Sequence, residues 1–332
     1  MPVVAQQLLA DRNGFMQQWK ERQNSLRLSH NSGCELIPIE EARSRKPQLT
    51  YSPTIPARLG ITPITIPVAE ARKYINRIPF LAAWKVKPHS EEAEKLISEA
   101  ESLLDRLCEA ECEAKAIIGL WTATSYGDDI LINNSVTIPT LRCQRRCDNG
   151  AQLALSDFIA PASSGIADYI GTFAVTIDKK IQQMIDDAKN VGDEYEAIML
   201  QTVADRIVEA SAEIMHRRVR TELWGYADAS TENGNPENVL RQNYQGIRPA
   251  VGYPSLPDQS VIFDIDRLMP LTDIGISLTE NGAMSPASSV SGLIFSHPES
   301  HYFMVGPVGD DQRCDYALRH HVPVEELKKW LR

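Results

Sequence analysis

The sequence predicts an α+β fold, and three features of its apolar patterning favour this class. Apolar residues repeat at three- and four-residue spacing along residues 90–115 and 194–227, which is typical of amphipathic helices. Apolar runs bounded by turn-forming residues, as in residues 116–134 and 168–177, are instead typical of strands. These segments do not alternate regularly along the chain, which favours α+β over a parallel, doubly wound sheet.

Length and composition are those of a globular protein. The chain has 332 residues, of which 43% are hydrophobic and 23% charged, enough for a large domain with a buried core. Its formal net charge of -10 argues against a nucleic-acid partner, which would require a basic surface. There is no apolar stretch of about 18 residues and no secretory-signal pattern, so we expect no membrane partner and a cytoplasmic location.

The sequence pattern of the N-terminal part differs from that of the rest of the chain. Residues 1–30 predict a helix with apolar positions at helical spacing. The proline-punctuated stretch that follows predicts extended chain of the kind found in linkers. We therefore expect an N-terminal helix and linker over residues 1–35 and one main domain over residues 36–332.

The first half of the main domain predicts a helix, a hairpin and two strands. Residues 90–115 form the clearest helical pattern, and Ser90 can cap its first turn. Two apolar runs within residues 116–134 flank turn-forming residues and predict a β-hairpin. Residues 153–161 and 168–177 predict two further strands.

The second half predicts three more helices before a region of strands. Residues 178–190 predict a short helix, residues 194–227 a long one, and a third short helix ends near Asn243. Small and apolar residues alternate within residues 275–306, which predicts strands, and residues 323–332 predict a closing helix.

Two cysteine pairs with four-residue spacing raise the question of a zinc site. Cys108 and Cys112 form one pair, and Cys143 and Cys147 form the other. Zinc-binding turns usually space their ligands as C-x2-C, whereas Cys108 and Cys112 fall in a strongly helical run. This pattern favours reduced thiols that behave as small hydrophobic residues over a metal site.

The predicted long helix carries an acidic face. Asp205, Glu209 and Glu213 recur every four residues and share one side of the helix. Like charges at this spacing repel each other by about 0.2–0.5 kcal/mol per pair unless a cation answers them. Either Arg206, Arg217 and solvent screen the carboxylates, or another positive group faces them.

The heptapeptide "RPAVGYP", Arg248–Pro254, is either a rigid connector or a binding edge. Proline disfavours helix in the residue before it, so Arg248 and Tyr253 are expected in extended conformations. Gly252 allows a ligand to approach the backbone closely. An extended backbone at Ala250 leaves N–H and C=O groups free to contact the edge of a flat ring.

Other motifs with chemical meaning are few. The segment "FSHPESHYF", Phe295–Phe303, has two histidines and a Tyr–Phe pair, and a histidine in such a setting is more often structural than catalytic. The sequence has no G-x-G-x-x-G, no phosphate-binding lysine loop, no H-E-x-x-H and no G-x-S-x-G. Common nucleotide, protease and esterase sites are therefore disfavoured.

A set of segments, read in order, resembles one known family. They are "YINRIPF" at 74–80, "GDDI" at 127–130, "DYIGTFAVT" at 168–176, "ADRIVEASAEIMHRRVR" at 204–220, "YQGIRPAVGYP" at 244–254 and "SVSGLIFSHPES" at 289–300. Together they resemble the C-terminal reactivation domain of cobalamin-dependent methionine synthase, which binds S-adenosylmethionine. Residues 1–35 look similar to the end of the neighbouring cobalamin-binding domain.

The resemblance implies a fold, a function and partners. The fold is a C-shaped single α+β domain with a twisted antiparallel sheet flanked by helices. The function is to support reductive methylation of cob(II)alamin to methylcobalamin in methionine biosynthesis, with S-adenosylmethionine as the methyl donor. A cobalamin-binding domain or subunit holds the cobalamin, and a flavodoxin-type donor supplies the electron. The chain lacks D-x-H-x-x-G, so we expect a part of methionine synthase and not a complete methyltransferase.

The resemblance also implies roles for individual residues. Arg248 would hold the ligand carboxylate, and the backbone of Ala250 and Gly252 would meet the adenine edge. Tyr253 would close over the ligand, beside an aromatic pair formed by Tyr302 and Phe303. No general base is expected, because the sulfonium is already an activated methyl donor and the chain needs only to position it and exclude water.

Two acidic residues and two departures from the family complete these expectations. Glu209 would lie toward the positive end of the ligand, and Asp205 would meet the histidine that cobalt releases when the domains reorganise. Asn76 stands where the family usually has an aspartate that contacts the ligand, and Ser285 stands where a bulky aromatic is usual. These departures leave open a second function, a docking module for a cobalamin protein whose S-adenosylmethionine site has decayed.

Overall fold

The computed structural model describes residues 35–146, 150–228 and 244–331. The predicted helix over residues 1–30, the short helix ending near Asn243, and Cys147 lie outside these ranges. Within them no helix is both long and apolar enough to cross a membrane.

A six-stranded antiparallel sheet organises the fold. Its strands are β1 (Gly60–Pro67), β2 (Glu113–Tyr126), β3 (Asp129–Ile132), β4 (Val136–Pro139), β5 (Asp168–Ile177) and β8 (Ser289–Ile294). The path runs β4-β3-β2-β5-β8, and β1 pairs with the first part of β2 on the edge that β3 shares further along. Two short strands, β6 (Ser277–Leu278) and β7 (Met284–Ser285), form a separate hairpin.

Helices precede, connect and follow the strands. They are α1 (Ile39–Ser44), α2 (Val68–Ala71), α3 (Arg77–Ala83), α4 (Glu91–Glu109), α5 (Lys179–Asn190), α6 (Glu194–Arg218), α7 (Val261–Leu268), α8 (Asp310–His320) and α9 (Val324–Trp330). Helices α4, α5 and α6 share a core with one face of the sheet, whereas α7 packs with the other face. Every residue of β5 is buried, because both faces of the sheet are covered at that strand.

The α+β class and several predicted elements are confirmed. The Ser90 hydroxyl accepts a hydrogen bond from Ala93 N–H at 3.2 Å and caps α4. The hairpin turns at Gly127 and Asp128, with Tyr126 opposite Asp129. The predicted strand over residues 168–177 matches β5 residue for residue.

One predicted strand is wrong. Residues 153–161 contain a 3₁₀ turn at Leu155–Phe158 and no strand. The Asp157 carboxylate accepts from Ala154 N–H at 2.8 Å and so closes this turn locally. Its partner Arg142, 2.7 Å away, holds the carboxylate in place.

Element ends also differ from the predictions. Helix α4 ends at Glu109, so Cys112 follows the helix and is buried beside the sheet instead of lying within a helical run. Helix α6 ends at Arg218 and continues as a π turn to Leu223. The predicted extended stretch is wrong at residues 39–44, which form the helix α1. Its end is the strand β1, whose prolines are tolerated because it lies at a sheet edge.

Candidate functional site

A cavity of about 830 Å³ opens between α6, the start of α3 and the outer edge of β8. This volume lies in the range of small-molecule sites, about 300–1,000 Å³. The structure brings eight of the nine predicted site residues to its wall, namely Asn76, Asp205, Glu209, Arg248, Ala250, Tyr253, Tyr302 and Phe303. Gly252 is not among the lining residues.

The heptapeptide forms an additional edge on the sheet. Leu293 N–H donates to the Pro249 carbonyl at 3.0 Å, and Val251 N–H donates to the Ser291 carbonyl at 2.9 Å. In this antiparallel pairing Ala250 lies opposite Gly292, between the bonded positions, so its own N–H and C=O point away from β8. The segment is therefore paired with the sheet edge at the cavity wall and is not a simple connector.

A turn follows that edge and places Tyr253. Tyr253 N–H donates to the Ala250 carbonyl at 3.2 Å, and Gly252 N–H donates to the Leu256 carbonyl at 2.9 Å. Gly252 has φ of +82°, a left-handed conformation that glycine adopts without strain. The Tyr253 side chain remains 57% exposed where the cavity meets solvent.

Arg248 lies in the cavity wall and is held at two points. Its Nη2 donates to the Glu213 carboxylate, and its backbone N–H donates to the Tyr302 hydroxyl at 3.0 Å. The Nε atom is buried and has no hydrogen-bond partner among the described residues. Burial works to lower the pKa of Arg248, but Glu213 outweighs this and the pKa is raised, so the guanidinium stays charged.

Glu213 belongs to a buried polar cluster beneath Arg248. Tyr244 O–H donates to Glu213 Oε2 at 3.2 Å, and the ring of Tyr244 lies 3.7 Å below the Arg220 guanidinium. Burial and the Glu213 charge raise the pKa of Tyr244, so its hydroxyl keeps the proton that it donates.

His216, one turn further along α6, is neutral. Its ring is fully buried, and burial together with Arg220 and Arg248 lowers its pKa well below the ordinary value. The ring contacts the Tyr226 hydroxyl at 3.3 Å and meets the Tyr244 ring edge-on at 5.3 Å. It packs beneath the site as an uncharged group.

Each carboxylate on the acidic face of α6 has its own hydrogen-bond or ion-pair partner. Asp205 accepts a hydrogen bond from the Ser288 hydroxyl at 2.6 Å and one from Gln201 Nε2 at 3.3 Å. Glu209 pairs with Arg206 at 2.9 Å and is half exposed. Glu213 forms an ion pair with Arg248. Arg206 therefore screens the Glu209 charge from within the same helix, whereas the Glu213 charge is neutralised by Arg248 from a distant segment.

Asn76 caps helix α3 and lines the cavity. Its Oδ1 accepts a hydrogen bond from Ile78 N–H at 3.0 Å, and the residue is exposed. Asparagine and aspartate cap helices about equally well, so the capping role does not require the aspartate that is usual in the family.

The two residues of the aromatic pair differ in burial: Tyr302 is exposed at the cavity, and Phe303 packs against the core. Tyr302 is 43% exposed and reaches Arg248, whereas Phe303 packs edge-on against Phe158 at 6.3 Å. The backbone of Phe303 is tied to Ser255, whose hydroxyl donates to the Phe303 carbonyl at 2.5 Å. Both residues line the cavity, but only Tyr302 is also well exposed to solvent.

The remaining candidates lie away from the cavity wall. The His297 ring lies against the Tyr51 ring, with centroids 4.1 Å apart and a tilt of 57°, and its Nδ1 accepts from Glu299 N–H at 3.0 Å, so this histidine is structural. Ser285 lines a different surface groove beside α5. In residues 35–146, 150–228 and 244–331, no group of three or more His, Cys, Asp or Glu side chains could hold a metal ion.

Comparison with known proteins places this geometry in a family. Residues 67–321 match the family model for the activation domain of vitamin B12-dependent methionine synthase. The fold matches a crystal structure of the MetH reactivation domain bound to AdoHcy, with a TM-score of 0.83 and 36% sequence identity. That match covers 89% of this chain and 97% of the other.

The chain belongs to the activation-domain family of vitamin B12-dependent methionine synthases. Its sheet, flanked by helices with the cavity at one edge, is the fold that the resemblance implied. The activity of which it forms a part is that of a methyltransferase.

Sequence reasoning did not assign three residues that the activation domain places at the cavity wall or beneath it. Glu213 was visible only as one of three acidic residues on α6, and nothing local indicated that it pairs with Arg248, 35 residues away. Tyr244 opens the "YQGIRP" motif, but its contact with Glu213 depends on how that segment crosses α6. Ser288, which donates to Asp205, precedes "SVSG" and could have been noted as a buried serine next to a motif.

Proposed function

We propose that this activation domain binds S-adenosylmethionine in the cavity beside Arg248 and so supports reductive methylation of a cobalamin held by a partner domain or subunit. The observation that carries the proposal is the Arg248 guanidinium in the cavity wall, with a buried Nε that lacks a partner among the described residues. The related reactivation domain is bound to AdoHcy. AdoHcy differs from S-adenosylmethionine by the methyl group that is transferred.

The ligand carboxylate fits Arg248. A planar guanidinium offers five N–H donors in a fixed fork that matches a carboxylate. Glu213 engages Nη2, which leaves other N–H groups of the guanidinium for a second anion. The about 830 Å³ of the cavity is sufficient for a ligand with an amino-acid arm and a nucleoside.

The adenine fits the outer edge of the heptapeptide. The N–H and C=O of Ala250 point away from β8, as a further strand of the sheet would require, and the carbonyl also accepts from Tyr253 N–H with one of its two lone pairs. A purine edge presents donors and acceptors that can pair with such backbone groups. Gly252 lets the turn after this edge bend back, so that Tyr253 lies beside the same surface.

The positive end of the ligand fits the acidic side of the cavity. Glu209 and Asn76 line the same cavity as Arg248 and lie on α6 and at the start of α3. The Glu209 carboxylate is paired with Arg206 but half exposed, so it can also face a second cation. Asn76 contributes an amide dipole in place of a charge.

The chain acts by positioning and by excluding water. When bound, S-adenosylmethionine supplies a methyl group already activated by its sulfonium, so no side chain of this domain is required as a general base. Tyr253 and Tyr302 lie between cavity and solvent, and closing them over the ligand would exclude water. Arg248 and the Ala250 edge would fix both ends of the ligand and thereby orient the sulfonium that lies between them.

The partners follow from the same proposal. A cobalamin-binding domain or subunit would dock over the open side of the cavity, with Asp205 available to the histidine released from cobalt. A flavodoxin-type protein would donate the electron. We propose that the chain is therefore not a complete methyltransferase on its own, and that residues 1–35 belong with the cobalamin-binding domain.

Calorimetric titration with S-adenosylmethionine tests the proposal. We expect saturable binding to the 332-residue chain and at least a tenfold loss in Arg248→Ala. Arg146→Ala is the matched control, because Arg146 is exposed and pairs with Glu35 away from the cavity lining. The competing function, a docking module with a decayed site, predicts no binding at millimolar ligand and docking to a cobalamin domain that Arg248→Ala does not affect.

A further inference from the structure

We infer that Glu213, held in turn by Tyr244, is a positioning residue that fixes the Arg248 guanidinium in the orientation that receives a ligand carboxylate. This inference rests on the proposed function, because it assigns a role within the same cavity.

The contacts form a short chain beneath the cavity. Tyr244 O–H donates to Glu213 Oε2 at 3.2 Å, and Arg248 Nη2 donates to Glu213 Oε1. The Glu213 and Arg248 side chains are only 11% and 15% exposed. Both oxygens of the carboxylate are thus engaged by two residues of the same segment, Tyr244 and Arg248 of "YQGIRPAVGYP".

Arg248 is held at its backbone as well as at its tip. Its N–H donates to the Tyr302 hydroxyl at 3.0 Å, and the segment on which it lies is paired with β8. Arginine has large rotamer freedom, so an arginine fixed before binding loses less entropy when the ligand arrives. The buried Nε has no hydrogen-bond partner among the described residues, so Glu213 does not use every donor of the guanidinium.

A carboxylate beside a binding arginine could instead compete with the ligand. The geometry favours positioning, because Glu213 contacts a single corner of the guanidinium and Tyr244 restrains its second oxygen. Without Glu213, the guanidinium would be a mostly buried cation without its carboxylate partner, which favours turning toward solvent. Removal of the Glu213 charge should therefore weaken, and not strengthen, binding of a carboxylate.

Two ligands that differ only in the carboxylate provide the test. We expect Glu213→Gln, an isosteric change, to weaken S-adenosylmethionine binding about tenfold in calorimetry. Binding of decarboxylated S-adenosylmethionine should change less than twofold. Tyr244→Phe keeps the ring over Arg220 but removes the hydroxyl, and we expect about a threefold loss with the same ligand dependence.

A double-mutant cycle separates positioning from a general structural role. In the Arg248→Ala background, Glu213→Gln should cause no further loss of S-adenosylmethionine affinity, because the group that it positions is absent. Equal losses for both ligands, an unchanged affinity, or tighter binding of S-adenosylmethionine in Glu213→Gln would each overturn the inference. If Glu213→Gln does not fold, Tyr244→Phe decides by the same criteria. Failure of the unsubstituted chain to bind S-adenosylmethionine would instead refute the proposed function, and this inference with it.

Discussion

Gly292 of β8 lies directly against Pro249, so close that a Cβ at position 292 would collide with the Pro249 carbonyl oxygen and come within 2.8 Å of the Ala250 Cα. This contact is what allows the heptapeptide to pair with the sheet edge. The backbone of "RPAVGYP" therefore requires the glycine of the "SVSG" motif, although more than forty positions separate the two in the chain.

Gly292→Ala should displace the heptapeptide from β8. Backbone atoms cannot yield as a flexible side chain can, so we expect a loss of about 1–3 kcal/mol in the free energy of unfolding, as for overpacking elsewhere. S-adenosylmethionine binding should fall with it, because Arg248 and Ala250 move together. Urea denaturation and calorimetry measure the two effects. Gly192→Ala is a control for ligand affinity alone: its φ of +77° adds backbone strain, but an added Cβ meets no atom within 4 Å, and affinity should stay unchanged.

The buried ion pair of Arg142 with Asp128 and Asp157 predicts a large stability effect. Arg142 Nη2 lies 2.6 Å from Asp128 Oδ1, and Nη1 lies 2.7 Å from Asp157 Oδ2, with all three side chains buried. Arg142→Ala leaves two carboxylates without this partner and should cost about 3–5 kcal/mol of unfolding free energy. Arg146→Ala breaks an exposed pair and should cost at most about 1 kcal/mol in the same urea titration.

The same pair predicts a dependence on acid pH. Burial works to raise the pKa of Asp128, but Arg142 and Arg43 outweigh it and hold the pKa below the ordinary value. A carboxyl whose pKa is lowered by folding stabilises the native state above its unfolded pKa, and this contribution is lost as pH falls through the folded pKa. Asp128→Asn should therefore be less destabilised than the unsubstituted chain by a shift from pH 7 to pH 3. An equal loss in both would contradict the assignment.

His216 makes a separate contribution to the pH dependence of stability, at higher pH than Asp128. Burial lowers its pKa well below the ordinary value, so the unfolded chain takes up a proton at a pH where the folded chain does not. Stability should fall below the unfolded pKa, by up to about 1.4 kcal/mol per pH unit for this one group. His216→Gln should flatten the curve of unfolding free energy between pH 6.5 and pH 5.

The predictions from sequence succeeded where one segment determines its own structure. The helix after Ser90 and the strand at residues 168–177 follow from periodicity and capping alone. The strand predicted at residues 153–161 was wrong, because Asp157 closes a local turn and pairs with Arg142, a contact that the apolar pattern does not indicate. The cavity shows the same division, since the motif singled out Arg248, which lies in the cavity wall, whereas the contact of Glu213 with Arg248 forms only when α6 packs beside the heptapeptide.

Asn76→Asp should strengthen binding of S-adenosylmethionine. Asn76 lines the cavity and caps α3 through Oδ1, and an aspartate can keep that cap because its oxygen accepts the same Ile78 N–H. The new charge would face the positive end of the ligand, and at a partly exposed site such a pair is expected to give about a threefold gain. Unfolding free energy should change by less than about 0.5 kcal/mol, since the cap is retained.

A comparison of two ligands locates the charge that the new aspartate meets. S-adenosylmethionine carries a sulfonium and an ammonium, whereas AdoHcy carries only the ammonium. A gain confined to S-adenosylmethionine would place position 76 beside the sulfonium, and an equal gain for both would place it beside the ammonium. Weaker binding of both ligands by Asn76→Asp would mean that the acidic residues of α6 already supply enough negative charge, so that a further carboxylate repels Glu209 more than it attracts the ligand.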